Sequence, residues 1–216
     1  MRARTGASLL VTATMAVAST SACGSDEAAP ETSVSTSSPT TTAPISTTTS
    51  TSTTTSTVWT GPPTLPPGGT LPTPIAPPGP DEVDPDVLMG TMEIPALMMS
   101  SPIYEGITDP TFDRGVGWWP GTARPGEPGN VVLGGHRTSA PRPFRHLELL
   151  APGDEIVFAV DDDVFVYRVT RTEVVTPEAM WIVDQTPAAT ATLFACHPPG
   201  STKERIVVFA EFDRRA

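Results

Sequence analysis

The chain is 216 residues long, with 24 Asp and Glu against 13 Lys and Arg and a formal net charge of -11. That balance offers no basic stripe to track a phosphate backbone, so nucleic acid is excluded as a partner and the charge is read as a source of solubility. The chain contains 26 prolines, 17 glycines and only two cysteines, Cys23 and Cys196, which leaves a disulfide framework without material.

Residues 1–23 begin with two arginines, continue through an uncharged and modestly apolar stretch from Ala7 to Ala18, and end in small residues before Cys23. This is the order of an export signal, and the apolar stretch is too short and too rich in Thr and Ser to remain as a spanning helix. Ser21 and Ala22 before Cys23, with Gly24 and Ser25 after it, resemble the lipobox of bacterial lipoproteins. That resemblance implies lipidation at Cys23 and a chain held at the outer face of the cytoplasmic membrane by its N-terminal anchor alone; plain secretion is the alternative. From Glu31 to Thr57 the sequence is almost wholly Ser and Thr, and from Pro62 to Pro80 it turns to Pro and Gly. Neither part buries enough apolar surface to offset its ordering entropy. Residues 24–82 are therefore expected to form a disordered stalk, and residues 83–216 one folded domain.

Within the domain the signal is strand rather than helix. GTMEIPAL at 90–97 and NVVLGG at 130–135 read as short strands, the second launched from the Pro- and Gly-bent turn RPGEPGN. Ile156 to Val160 and Val164 to Val169 flank the acidic turn DDD and predict a hairpin. AATATLFAC at 188–196 and RIVVFAEF at 205–212 predict two long strands. Helical signal is confined to one or two turns in 141–150, where Phe144, Leu147 and Leu150 recur, and a short helix in 176–183 opened by Thr176 and Pro177. Many short strands with Gly and Pro turns point to an all-β, closed or nearly closed antiparallel barrel.

Cys196 is then an unpaired thiol in an oxidising compartment, at the end of an apolar run, and an unpaired thiol there needs a reason. An ordinary thiol has a pKa near 8.5, and a nearby imidazolium would stabilise its thiolate and later protonate a leaving group. His197 follows directly, so along a strand it faces the other way. His146 lies within the expected short helix and reads as exposed or capping. His136 closes NVVLGGH, where two glycines let the backbone bend or approach closely and deliver a ring to a strand end. Arg205 opens the next strand after the short connection 198–204 and is positioned to hold an oxyanion; Arg137 and Arg168 are its rivals. A buried, inert cysteine is the alternative reading. Three histidines at 136, 146 and 197 form no metal-ligand motif, DDD at 161–163 reads as a solvated turn, and no metal or cofactor is expected.

DRGVGWWPGTARPGEPGNVVLGGHRTSAPRPFRHLELLAPGDEIVF and ATLFACHPPGSTKERIVVFAEF resemble the two signature regions of bacterial sortases, most closely the class E housekeeping type of high-GC Gram-positive bacteria. The likeness runs from about Gly90 to Phe212. It implies an eight-stranded sortase-type β-barrel and a cysteine transpeptidase that cleaves a C-terminal LAXTG- or LPXTG-like sorting signal between Thr and Gly. The acyl group would pass through a Cys thioester to an amine, such as that of a peptidoglycan precursor. The resemblance assigns Cys196 as nucleophile, His136 as general acid and base, and Arg205 as the group steadying the oxyanion.

It also implies a groove walled by the connection from Thr176 to Thr190, with Trp118, Trp181, Ala195 and His197 as candidate groove residues. Ala195 stands where the family commonly has Thr, which removes a hydroxyl beside the nucleophile. A surface peptide-binding module that lost turnover, and a cysteine hydrolase acting on the same peptides, are the alternative functions.

Overall fold

The computed structural model describes residues 61–79 and 83–216. Strand boundaries follow the alternation of apolar side chains. β1 (Leu88–Ile94) and β2 (Met99–Glu105) form an antiparallel pair, and the short helix α1 (Asp109–Phe112) leads into β3 (Val116–Trp118) and β4 (Gly129–Gly134). β5 (Glu155–Val160) buries Ile156, Phe158 and Val160 and turns the residues between them outward. The turn into β6 (Asp163–Val175) places Asp161 at φ 54°, a left-handed conformation that Asp tolerates better than most residues. β7 (Ala189–His197) and β8 (Glu204–Arg215) complete the set.

The strands close into a barrel in the order β1-β2-β3-β4-β7-β8-β6-β5. Closure leaves no open sheet edge, and at eight strands the interior is just wide enough to be filled by side chains. Met92, Ile94, Leu133, Phe158, Tyr167 and Leu193 fill it, with Phe144 and Leu147 plugging from the β4–β5 connection. All six residues of β4 are buried, because its outer face is also covered. Val132 lies there in a second apolar cluster with Trp119, Ile182, Val183 and Val207.

Several details depart from the sequence reading. The barrel is not wholly antiparallel: β2 with β3 and β4 with β7 run parallel. The 141–150 and 176–183 segments yield only the 3-10 turns Leu147–Leu149 and Met180–Val183, too short to bury a helical face. The segment 61–79, expected within the stalk, lies instead along the barrel. Leu65 N–H donates to Pro187 O at 2.8 Å, Ala189 N–H to Pro63 O at 3.1 Å, and Ile75 N–H to Pro120 O at 2.9 Å. Composition misled here because proline gives up little conformational freedom on docking while its carbonyl still accepts a hydrogen bond. The expected export signal and the Ser/Thr-rich part of the stalk lie outside the described residues.

Tyr167 shows how the interior is tied together. Phe158 and Phe212 meet it edge-on at 5.3 and 5.4 Å, and its hydroxyl accepts the Gly126 N–H at 2.9 Å. Burial pushes its phenol up to about 12, with the Glu127 charge adding to the rise and the Gly126 bond opposing it. A phenol raised above its unfolded value of about 10 stabilises the fold fully below pH 10 and progressively less as pH rises toward 12. A shift of that size corresponds to about 3 kcal/mol. Urea unfolding should therefore show stability falling by about that amount between pH 10 and 12, and the Tyr167→Phe chain should lack this component of the fall.

Candidate active site

Parallel pairing of β4 with β7 sets Gly134 beside Phe194. β4 ends at Gly134 while β7 runs on to His197, so His136, two residues past β4, and Cys196, two residues past Phe194, come to the same rim of the barrel and line one pocket. β8 returns antiparallel from a short connection and its register places Arg205 opposite Cys196. Three side chains separated by up to 69 positions in sequence thus line one pocket of about 440 Å³, whose walls include Phe112, Trp119, Phe194 and Ala195.

Each of the three is held differently. Cys196 is a free, half-buried thiol. Arg205 donates from Nη1 to the carbonyls of Thr202 at 2.9 Å and Glu204 at 3.0 Å, so it is steadied by backbone, and among the described residues no carboxylate is paired with its charge. The His136 ring is 17% exposed and packs edge-on against Phe112 at 5.7 Å. Its Nε2 lies 3.1 Å from Asp113 Oδ1, which orients the ring and leaves Nδ1 outside that contact. Asp113, in the residue after α1, was not anticipated from sequence; its only signal is an acidic residue among other acidic residues.

The base of α1 is fixed in turn by Asp84, whose Oδ2 accepts the Thr108 N–H at 2.7 Å and the Thr108 and Thr111 hydroxyls at 2.6 and 2.8 Å. Burial works to raise this carboxyl, and the hydrogen bonds from Thr108 and Thr111 outweigh it, leaving the carboxyl below its ordinary value.

Of the rivals to Arg205, Arg137 is buried and donates to Glu148 Oε2 and to His197 Nδ1, each at 2.6 Å. Arg168 lies on β6 within an ion-paired cluster with Glu155 and Asp213. Neither lines the pocket.

The other groove candidates divide. Ala195 lines the pocket and is 2% exposed. His197 faces away from it toward Arg137, as strand alternation requires. Trp118 packs against the barrel core and donates its indole N–H to Ala123 O at 3.0 Å, so it does not reach the groove. Trp119, one residue on and therefore on the opposite face, is the groove ring, donating to Ile75 O at 2.7 Å and meeting Phe194 edge-on at 5.9 Å. Trp181 also points elsewhere, stacking on Phe209 at 5.8 Å beside a separate cavity. The 176–190 connection walls the thiol pocket instead through Pro177, Ala179, Met180 and Ile182. The docked segment 61–79 supplies Pro77 to the same pocket. Cys23 lies outside the described residues.

This arrangement of thiol, imidazole and unpaired guanidinium around an apolar-walled groove suits acyl transfer through a thioester. Among the described residues no cluster of three metal-ligating side chains is present.

The chain is 33% identical over 148 residues to Sortase SrtE1 of Streptomyces coelicolor, covering 61% of this chain and 42% of that protein. It is 28% identical to Sortase D of Bacillus subtilis, covering 56% of this chain and 62% of the relative. The chain therefore spans less than two thirds of the length of either curated relative. Among solved structures, Sortase E1 from Streptomyces coelicolor with a tripeptide in the active site superposes with a TM-score of 0.57 at 29% identity, covering 62% of this chain and 93% of that one. The Clostridium perfringens Sortase D5 transpeptidase gives a TM-score of 0.55 at 29% identity, over 59% and 79% of the two chains. A family model described as a sortase domain matches residues 92–213, which is more than half of the sequence, and with the eight-stranded barrel this establishes that the chain belongs to the sortase family.

Proposed function

We propose that the chain is a cysteine transpeptidase of the sortase type, with Cys196 as nucleophile, His136 as general acid and base, and Arg205 as oxyanion partner. The observation that carries this reading is the Cys196–Arg205 register on β7 and β8 with His136 on the same pocket. The Cys196 thiolate attacks the carbonyl carbon of the Thr–Gly bond, and Arg205 offsets the charge that develops on the carbonyl oxygen. As the C–N bond breaks, His136 gives its proton to the departing Gly amine, leaving an acyl thioester on Cys196. An incoming amine gives a proton to His136 as it attacks the thioester, a new amide forms, and the thiolate is released. The substrate class is a C-terminal sorting signal of the LAXTG or LPXTG kind, and the acceptor class is an amine such as that of a peptidoglycan precursor.

Incubating the full chain with a library of sorting-signal peptides should give a Cys196 thioester detectable by mass spectrometry, and an added amine should convert it to the amide product. Absence of any adduct or cleavage across the library would sink the reading. Peptide binding without turnover would indicate a binding module, and product that stays hydrolysed despite added amine would indicate a hydrolase.

The proposed place of action is the cell surface, with Cys23 as a lipid anchor. No helix among the described residues is long and apolar enough to cross a membrane. Metabolic labelling with a fatty-acid analogue should mark the native chain and not the Cys23→Ala chain; equal labelling of the two would exclude this anchor.

A further inference from the structure

In a chain of net charge -11, the arginines among the described residues are ion-paired to carboxylates at seven positions, 114, 124, 137, 168, 171, 214 and 215. Arg142, Arg145 and Arg205 are the three that make no ion pair with another described residue. Arg205 belongs to the thiol pocket. The other two converge, with His146, on a separate pocket of about 320 Å³ formed by the β4–β5 connection and Pro199 of the β7–β8 connection, with Arg137, Thr138 and Glu148 as further walls. Arg142, Arg145 and His146 are exposed, while Arg137 at the back is 3% exposed and is neutralised by Glu148. Arg142 is held at φ 51°, a backbone conformation that long side chains rarely adopt and that marks a locally strained position.

Two like charges held near one another without a counterion are unfavourable in isolation, and a guanidinium pair with an added imidazole matches the oxygens of a tetrahedral anion. The geometry points to a binding site for a phosphate group, held by Arg142, Arg145 and His146. Glu148 is occupied by Arg137 and so is shielded from repelling the anion. The same three residues also line an adjoining depression with Leu97, Met98 and Met99, and Met98 is 96% exposed. An apolar tip beside a basic pair is the arrangement that meets a phospholipid headgroup with its phosphate on the arginines and its glycerol region on the apolar side chain. A soluble phosphate ester would use the arginines alone. The site does not depend on the acyl-transfer reading, since it shares no lining residue with the thiol pocket.

The test uses the full chain carrying Cys23→Ala, so that no attached lipid contributes, and calorimetric titration with inorganic pyrophosphate. The Arg142→Gln/Arg145→Gln double variant should bind it about tenfold or more weakly, in keeping with the loss of charge-assisted hydrogen bonds. Arg171→Gln, a surface arginine stacked on Phe209, should bind as the parent does. Both altered side chains in the double variant are exposed, and an unchanged thermal midpoint would show that the fold is intact. Equal affinity of parent and double variant, or no binding by the parent, overturns the proposal. Flotation with phosphatidylglycerol vesicles against phosphatidylcholine vesicles assigns the source. Preference for the anionic vesicles that is lost in the double variant and reduced in Met98→Ser identifies a lipid headgroup; pyrophosphate binding without vesicle preference identifies a soluble phosphate.

Discussion

Replacing Arg205 with alanine is expected to lower kcat/KM for peptide transfer by about 10²- to 10³-fold, the loss typical of removing one oxyanion donor. The loss should fall mainly on kcat, because in the proposed mechanism Arg205 offsets a charge that exists only as the carbonyl carbon becomes tetrahedral. Stability should hardly change. The guanidinium is bonded to the Thr202 and Glu204 carbonyls at the exposed end of β8, where water can replace it. Arg205→Lys should recover part of the rate, since it restores the charge without the planar fork. Cys196→Ala should form no thioester at all. The measurements that decide are steady-state kinetics with a sorting-signal peptide alongside thermal unfolding of each chain. A rate loss matched by a fall in melting temperature, or no rate loss, would remove Arg205 from the reaction.

That Cys196, His136 and Arg205 come together on one pocket was legible in the sequence because strand ends and short connections are local features. An apolar run broken after Cys196 and resumed at Arg205 nearly forces the two into register across a connection of that length, and the structure pairs them directly. His136 was marked by the glycines that precede it. What was not legible depends on partners far away in sequence. The parity of a three-residue strand decides whether Trp118 or Trp119 faces the groove, and nothing within β3 reveals it. β2 escaped notice because MSSPIYE mixes polar residues and a proline into its run. Asp113 reaches His136 only because α1, one turn long, is pinned by Asp84 from the chain before β1. The docking of 61–79 depends on carbonyls at 120 and 187 and on the Trp119 indole, none of which composition records.

Of the two roles open to the glycines of LGGH, bending or close approach, Gly134 takes the second: it lies within β4 and has no left-handed φ. What it supplies is space. A Cβ there would come within 2.5 Å of Phe194 Cζ and 2.8 Å of Phe112 Cζ. Its cross-strand partner Gly117 is crowded in the same way, with an added Cβ falling 2.3 Å from Gly106 O and 2.7 Å from Phe112 Cε1. The glycine pair thus forms the floor on which Phe112 lies, and Phe112 in turn supports the edge of the His136 ring. Gly134→Val should lift Phe112 and Phe194 and tilt the imidazole away from the thiol. A displacement near 1 Å costs on the order of 10²-fold in rate, and overpacking costs about 1–3 kcal/mol in stability. Gly134→Ala, with a single methyl group to accommodate, should fall between Val and the native chain in both respects. Kinetics and urea unfolding of the two variants test this together: a full rate in Gly134→Val at reduced stability would mean that Phe112 does not position His136.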